Sequence, residues 1–245
     1  MPEPVSAPRG AGLAQLVVPG LTALALLPVA YMVVRTSLAF RNAAYWDEIE
    51  TVLDFLLKLQ AGPTWQESIG QLFSPGNEHR TVTSRLLFAV SYWLTGTVNF
   101  TVIGVIGNLF LFGVCGLLLA TAGTAVRRLQ LALLLSGLLF QLQHFENFFW
   151  SGSSIDHFQV VTLATAAFVA LAWPTRTGLA LASLSAALAT FTLAHGLLVW
   201  PLGALVLGHA RRWRHLAAWG GGAVFTLGVF FTGYGRNTGH AIGDF

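Results

Sequence analysis

The strongest constraint on the fold is Gly12–Val34, an apolar run without a single charged side chain. A helix crosses a bilayer with about 20 mostly apolar residues, so this run is read as a first membrane span. It is too long for a secretory signal and lacks a clear small-residue cleavage site, so it is taken as uncleaved. Further apolar runs follow at Val98–Gly123, Leu129–Gln143, Phe158–Trp173, Gly178–Ala194, Leu197–Leu207 and Ala217–Thr232. Only 9% of the residues are charged, where soluble domains carry roughly 25%, and no soluble nucleotide-binding fold is present. The lone Cys115 sits in an apolar run, so no disulfide forms within the chain and its thiol reads as a small buried hydrophobe. No CxxC or HExxH spacing occurs.

Charge placement orients the spans. Basic residues concentrate at cytoplasmic ends, here Arg127-Arg128, Arg176 and the Arg211–Arg214 cluster, with His209 and His215 beside it as lipid-headgroup contacts. If all three lie inside, seven crossings follow from a cytoplasmic N-terminus, provided Val82–Thr95 lies in the interface or re-enters. That segment is short and carries Ser84, Arg85 and Ser91. The acids give an independent check, because nine of the ten then fall outside and only Glu3 inside. The expected fold is all-α, a polytopic bundle of about seven spans forming one domain over residues 1–245.

Six of the ten acidic residues lie between Thr36 and Arg85, the first outer loop. Within it, Asp47, Glu50, Asp54 and Lys58 alternate with Trp46, Ile49, Leu53 and Leu56 at helical spacing. This predicts an amphipathic interfacial helix over Trp46–Gln60, ended by Gly62-Pro63. A second short helix is expected over Thr64–Phe73, with Thr64 and Glu67 forming a capping box. Ser74-Pro75-Gly76 reads as a turn.

Asp47 and Glu48 open the interfacial helix close to the membrane. A carboxylate there can take a proton, hold a metal, or simply complement the helix dipole. Asn77-Glu78-His79-Arg80 sets four hydrogen-bonding side chains in a row, among them an arginine suited to phosphate and a histidine able to move a proton. The alternative for this run is a solvated turn with an internal Glu78–Arg80 or Glu78–Arg85 pair. His144, Glu146 and Asn147 stand at the outer end of the third span, where Glu146 needs a partner such as His144, His79 or Arg80. The aromatic residues Phe148, Phe149 and Trp150 fit an interfacial belt. Asp156 is read with Ser153 as a capping box at the start of the fourth span. His195 interrupts an apolar run at the same face, and Arg236 and His240 share that side.

The stretches YWDE, NEHR, HFENFFW and AHGLLVWPLG occur in this order. They are similar to the WDE, NEHR, WEN and NGLLLWP stretches of a bacterial group resembling the GT-C membrane glycosyltransferases, over about Val34 to His240. His195 stands where that group has asparagine, and Ser151-Gly152-Ser153-Ser154 replaces its glycine-phenylalanine-glutamine. The resemblance implies an extracytoplasmic enzyme of the inner membrane that moves a sugar from a polyprenyl phosphate to a glycan, lipid or protein acceptor, with no nucleic acid involved. It implies Asp47 as catalytic base with Glu48 its neighbour, and leaves a divalent metal open. His79 and Arg80, with His195 or His240, would neutralise the leaving phosphate, while Glu78, Glu146 and Asn147 would position sugar hydroxyls or the basic residues. Two other readings are a flippase or transporter for a lipid-linked or small polar substrate, and a non-catalytic assembly subunit.

Overall fold

The computed structural model describes residues 10–75 and 79–233. Their regular elements are all helical, with no strand among the described residues. In chain order the helices are α1 (Gly10–Ala39), α2 (Asp54–Gln60), α3 (Trp65–Leu72), α4 (Val82–Thr95), α5 (Phe100–Thr121) and α6 (Ala125–Leu139). The short α7 (Phe145–Phe149) precedes α8 (Ser151–Leu171), α9 (Arg176–Thr190), α10 (Val199–His209) and α11 (Trp213–Phe231). A π-helical segment, Ile49–Leu53, leads into α2, and 3-10 turns at Leu142–His144 and Ala194–Leu198 lead into α7 and α10.

Among the described residues three helices are long and apolar enough to span a membrane: Val17–Ala39 within α1, α5 and α8. The bent pair Ala125–Leu139 and Leu142–Phe149 makes a fourth if it is one span. The chain is therefore a membrane protein by the length and composition of its helices.

The described chain divides into two compact units, one holding residues up to Ala39 with Leu119–Phe145, the other Phe40–Leu118 with Glu146–Phe245. In the first, α1 packs along α6; α1 carries Pro19 and Pro28 within its length, which span helices tolerate because neighbouring groups re-satisfy the freed carbonyls.

The second unit has two apolar clusters. Helices α8 to α11 share one, centred on Trp200 and Trp219, whose rings lie 4.6 Å apart. Both indole N–H groups are satisfied: Trp219 donates to the Trp200 carbonyl at 2.9 Å and Trp200 to Thr190 Oγ1 at 3.1 Å. Gly203 makes room for this pair, since a Cβ there would sit 2.4 Å from the Trp219 ring. The other cluster joins Val52, Phe55 and Leu56 to Phe88 of α4, Phe100 and Ile103 of α5, and Ile155 of α8.

Two expectations about the loop change here. The helix does not begin at Trp46, which is 70% exposed and holds a left-handed φ of 53°. The π-helical turn then shifts the buried face to Val52, Phe55 and Leu56, leaving Ile49 exposed. Glu50 and Asp54 do face outward, and Lys58 pairs with Asp54 at 2.5 Å, whereas Asp47 is half-buried. In α3 the capping box forms as expected, with the Glu67 N–H donating to Thr64 Oγ1 and the Thr64 N–H to the Glu67 carboxylate.

Helix α4 occupies the expected Val82–Thr95 and ends at Gly96 in the left-handed conformation, the usual helix C-terminus. One face of it is polar and buried. Thr83 bonds Gln159 at 3.0 Å and Thr192 at 2.8 Å, fastening α4 to α8 and to the end of α9.

Candidate active site

Within the second unit, Phe40 leaves α1 and Asn42 accepts the Phe100 N–H at 2.9 Å, tying the loop to the start of α5. The left-handed residue that follows at Trp46 costs of order 1–2 kcal/mol for a side chain with a Cβ, a strain that concentrates at functional sites. It separates the fates of the two adjacent acids. Glu48 is 1% exposed; its Oε2 accepts the Tyr45 N–H at 2.7 Å, and its Oε1 accepts the Gly152 N–H at 2.6 Å and the Ser151 hydroxyl. This carboxylate stitches the loop to the first turn of α8. Asp47 is half-buried, and the only bond its carboxylate makes among the described residues is to its own backbone N–H. Its carbonyl accepts the N–H groups of Glu50 and Thr51, starting the helix behind it.

Asp47 opens on a cavity of about 180 Å³. Its walls come from the π-helical segment, from α4 through Ser84 and Arg85, from α8 through Ser153, Asp156 and His157, and from His79, Trp150 and His195. Burial raises the Asp47 carboxyl above its ordinary value, with the nearby Glu50 charge adding to it, while its own backbone N–H and His79 pull the other way. Burial also raises Glu48, outweighing the Ser151, Tyr45 and Gly152 hydrogen bonds that favour its ionised form.

The remaining walls are well anchored. Arg85 Nη1 donates to the Ser74 carbonyl at 2.5 Å, to Ser74 Oγ at 3.0 Å and to the Gln71 carbonyl at 3.2 Å, closing the C-terminus of α3. Its guanidinium also lies 5.5 Å from the Phe55 ring centroid. Asp156 accepts the Ser84 hydroxyl, joining α8 to α4. His157 Nδ1 lies 3.0 Å from the Ser153 carbonyl, and Ser153 donates to Asn147 at 2.7 Å. The His79 and His195 rings face each other with centroids 6.4 Å apart. Among the described residues no three His, Cys, Asp or Glu side chains converge on a point that could hold a metal ion.

Of the residues expected at the site, Asp47, Glu48, His79 and His195 come together on this cavity. Arg80 does not line it. It is 4% exposed, donates to the Phe73 and Thr232 carbonyls, and lies over the Phe230 ring, so its fork is spent on backbone. Glu146 is exposed and away from the lining, and Asn147 is held by Ser153. His144 belongs to the first unit, where Nε2 meets the Leu139 carbonyl at 3.0 Å. Glu78 and His240 lie outside the described residues, as do Asn77 and Arg236.

The cavity adds residues that the sequence reading left out, chiefly Arg85, Trp150, Asp156 and His157. The expected cap of α8 is corrected: the helix starts at Ser151, Ser153 turns to Asn147, and Asp156 turns to Ser84. The signal for Asp156 was present, an ionisable group inside an apolar helix, but the capping pattern absorbed it. The chain matches no protein-family model, no curated protein and no solved structure.

Proposed function

We propose that this chain is an inverting glycosyltransferase of the GT-C kind, using a sugar linked to polyprenyl phosphate. The observation that carries the reading is Asp47: a carboxylate with raised proton affinity, presented to a cavity by a strained turn, while Glu48 beside it anchors the turn. A general base needs such an unclaimed carboxylate within reach of an acceptor hydroxyl. Asp47 takes the hydroxyl proton as the acceptor oxygen bonds to the anomeric carbon. The bond from that carbon to the phosphate oxygen breaks, and polyprenyl phosphate leaves with the electron pair. His79 and His195 supply N–H donors to the departing phosphate. The cavity is smaller than the roughly 300–1,000 Å³ of drug-sized ligand sites, so it suits one sugar ring, with the prenyl tail outside along apolar helix faces.

In the same proposal the chain crosses the inner membrane about seven times from a cytoplasmic N-terminus. The shorter helices α9, α10 and α11 complete the crossings, and the cavity opens on the extracytoplasmic face. The segregation of basic and acidic residues supports this arrangement. Reconstitution in liposomes with polyprenyl-phosphate sugars and candidate acceptors, followed by mass analysis, tests it. Glycosylated acceptor and free polyprenyl phosphate are expected from the native chain and not from Asp47→Asn. Transfer of the donor across the bilayer without either product points to a flippase and overturns the reading.

A further inference from the structure

A second cavity, of about 220 Å³, adjoins the first and shares two wall residues with it, Thr51 and Arg85. The π-helical segment divides the two spaces. Asp47, Glu48 and Val52 line the first, and Glu50, Asp54 and Lys58 the second. Thr51 lines both, and its hydroxyl donates to the Asp47 carbonyl at 2.8 Å. Single π-helical turns are frequent at functional sites. Across the second cavity stand Gln71 and Ser74 at the end of α3. Arg85 is a fixed part of the shared wall, its Nη1 held by the Ser74 and Gln71 carbonyls. The other polar side chains keep hydrogen-bonding capacity within reach of solvent. Glu50 is exposed and Gln71 half-buried, and neither side chain makes a hydrogen bond among the described residues. Lys58 and Asp54 are about half exposed and pair with each other, which leaves two ammonium protons and further carboxylate lone pairs. The apolar part of the wall, among the described residues, is Phe55 and Pro75.

We propose that this second cavity is the acceptor subsite and that the acceptor is a neutral glycan, its terminal ring held by Glu50, Lys58 and Gln71 with one hydroxyl directed past Thr51 to Asp47. The proposal rests on the glycosyl-transfer reading and deepens it by choosing among the acceptor classes. The acceptor must reach Asp47 from a space that the donor sugar does not fill, and the cavity across Thr51 provides one. The lining selects the class. A lipid acceptor needs apolar walls for its chain, and Phe55 and Pro75 supply little. A phosphate-bearing acceptor would meet the Glu50 and Asp54 carboxylates, of which Lys58 offsets one. A peptide brings a single hydroxyl to a wall with several partners. A sugar both gives and takes hydrogen bonds, as this wall does: Glu50 and Asp54 accept, Lys58 donates, and the Gln71 amide does both.

The test uses the full chain in lipid nanodiscs, since alkyl-glycoside detergents would compete. Saturation-transfer NMR measures binding of methyl gluco-, manno- and galactopyranosides, with glycerol phosphate and a peptide rich in serine and threonine as the competing classes. At least one pyranoside is expected to bind, and Gln71→Ala and Glu50→Gln each to weaken it about 5- to 10-fold. Neither side chain bonds another described residue, so the unfolding midpoint should stay where it is in both variants. In liposomes carrying a polyprenyl-phosphate sugar, the KM for the pyranoside as acceptor is expected to rise by the same factor. The donor KM should not change, because neither residue lines the first cavity. Rates are compared on the plateau of the pH profile, since the Glu50 charge acts on Asp47. Failure of every pyranoside to bind overturns the subsite, as does unchanged pyranoside affinity in both variants. Glycerol phosphate or peptide binding that Gln71→Ala weakens, with no pyranoside bound, overturns the glycan assignment. The two readings fail separately. Pyranoside binding that Gln71→Ala weakens, without any transfer product, leaves a glycan site and removes the transferase. Transfer with an unaltered acceptor KM in both variants leaves the transferase without this subsite.

Discussion

At the scale of single residues, the adjacent acids Asp47 and Glu48 have opposite jobs. The Asp47 carboxylate makes no bond to another described residue, so Asp47→Asn is expected to leave the thermal unfolding midpoint unchanged while lowering transfer about 10²- to 10⁴-fold, the usual contribution of a general base. The base must be ionised to act. Because burial raises Asp47 above its ordinary value of 3.8, the acidic limb of the kcat/KM profile should sit above that value, with the rate rising as pH rises through it. Glu48→Ala would strand the part-buried Tyr45 and Gly152 N–H groups and the buried Ser151 hydroxyl, costing about 2–4 kcal/mol, read by thermal unfolding. Glu48 also shapes stability against pH. Its folded carboxyl is raised above 4.5, so folding favours the protonated form, and its contribution is present below that value and lost as pH rises through the folded one. Glu48→Gln should flatten that decline.

At the scale of elements, the site depends on how closely α8 approaches its neighbours. Gly107 of α5 faces the first turns of α8, where a Cβ would lie 2.4 Å from Ser154 Oγ and 2.6 Å from the Ile155 backbone nitrogen. Backbone cannot step aside as a side-chain tip can, so Gly107→Ala must push α8 away. A loss of about 1–3 kcal/mol is expected, with a rise in donor KM, because Ser153, Asp156 and His157 ride on the displaced turns. Gly116, one face further along α5, has open space around it, and Gly116→Ala should leave both the unfolding midpoint and KM unchanged. The small residues at such crossings do what membrane interfaces require, since packing rather than water exclusion holds helices together in lipid.

At the scale of the whole molecule, the proposed orientation has a direct check. In a Cys115→Ser background, Lys58→Cys should react with a membrane-impermeant maleimide on intact cells, and His215→Cys only after permeabilisation. The reverse pattern would put the cavity on the cytoplasmic side and remove the lipid-linked donor from reach. Much of the architecture was legible in advance because membrane helices obey local rules. The boundaries of α4, the Gly62-Pro63 stop and the Thr64–Glu67 cap all follow from neighbours within four residues. The helix over Trp46–Gln60 was legible in its acids and not in its start, because a left-handed turn and a π-helical segment are set by what the loop must reach.

The sequence by itself determined that this chain is helical, belongs in a membrane, and carries Asp47, Glu48, His79 and His195 as polar groups of interest. Those conclusions rest on hydropathy, charge and spacing, which are properties of one segment at a time. Only the tertiary structure decided which polar groups share a cavity and what each is still free to do. Arg80 and Arg85 look alike in the sequence, yet Arg80 turns to the Phe73 and Thr232 carbonyls away from the cavity, while Arg85 closes the end of α3 and lines the cavity. Glu48 looks like a second catalytic acid until Ser151 and Gly152, about a hundred residues away, take up its oxygens. A side chain's chemistry is set by the donors and acceptors around it, and in this protein those arrive from distant helices.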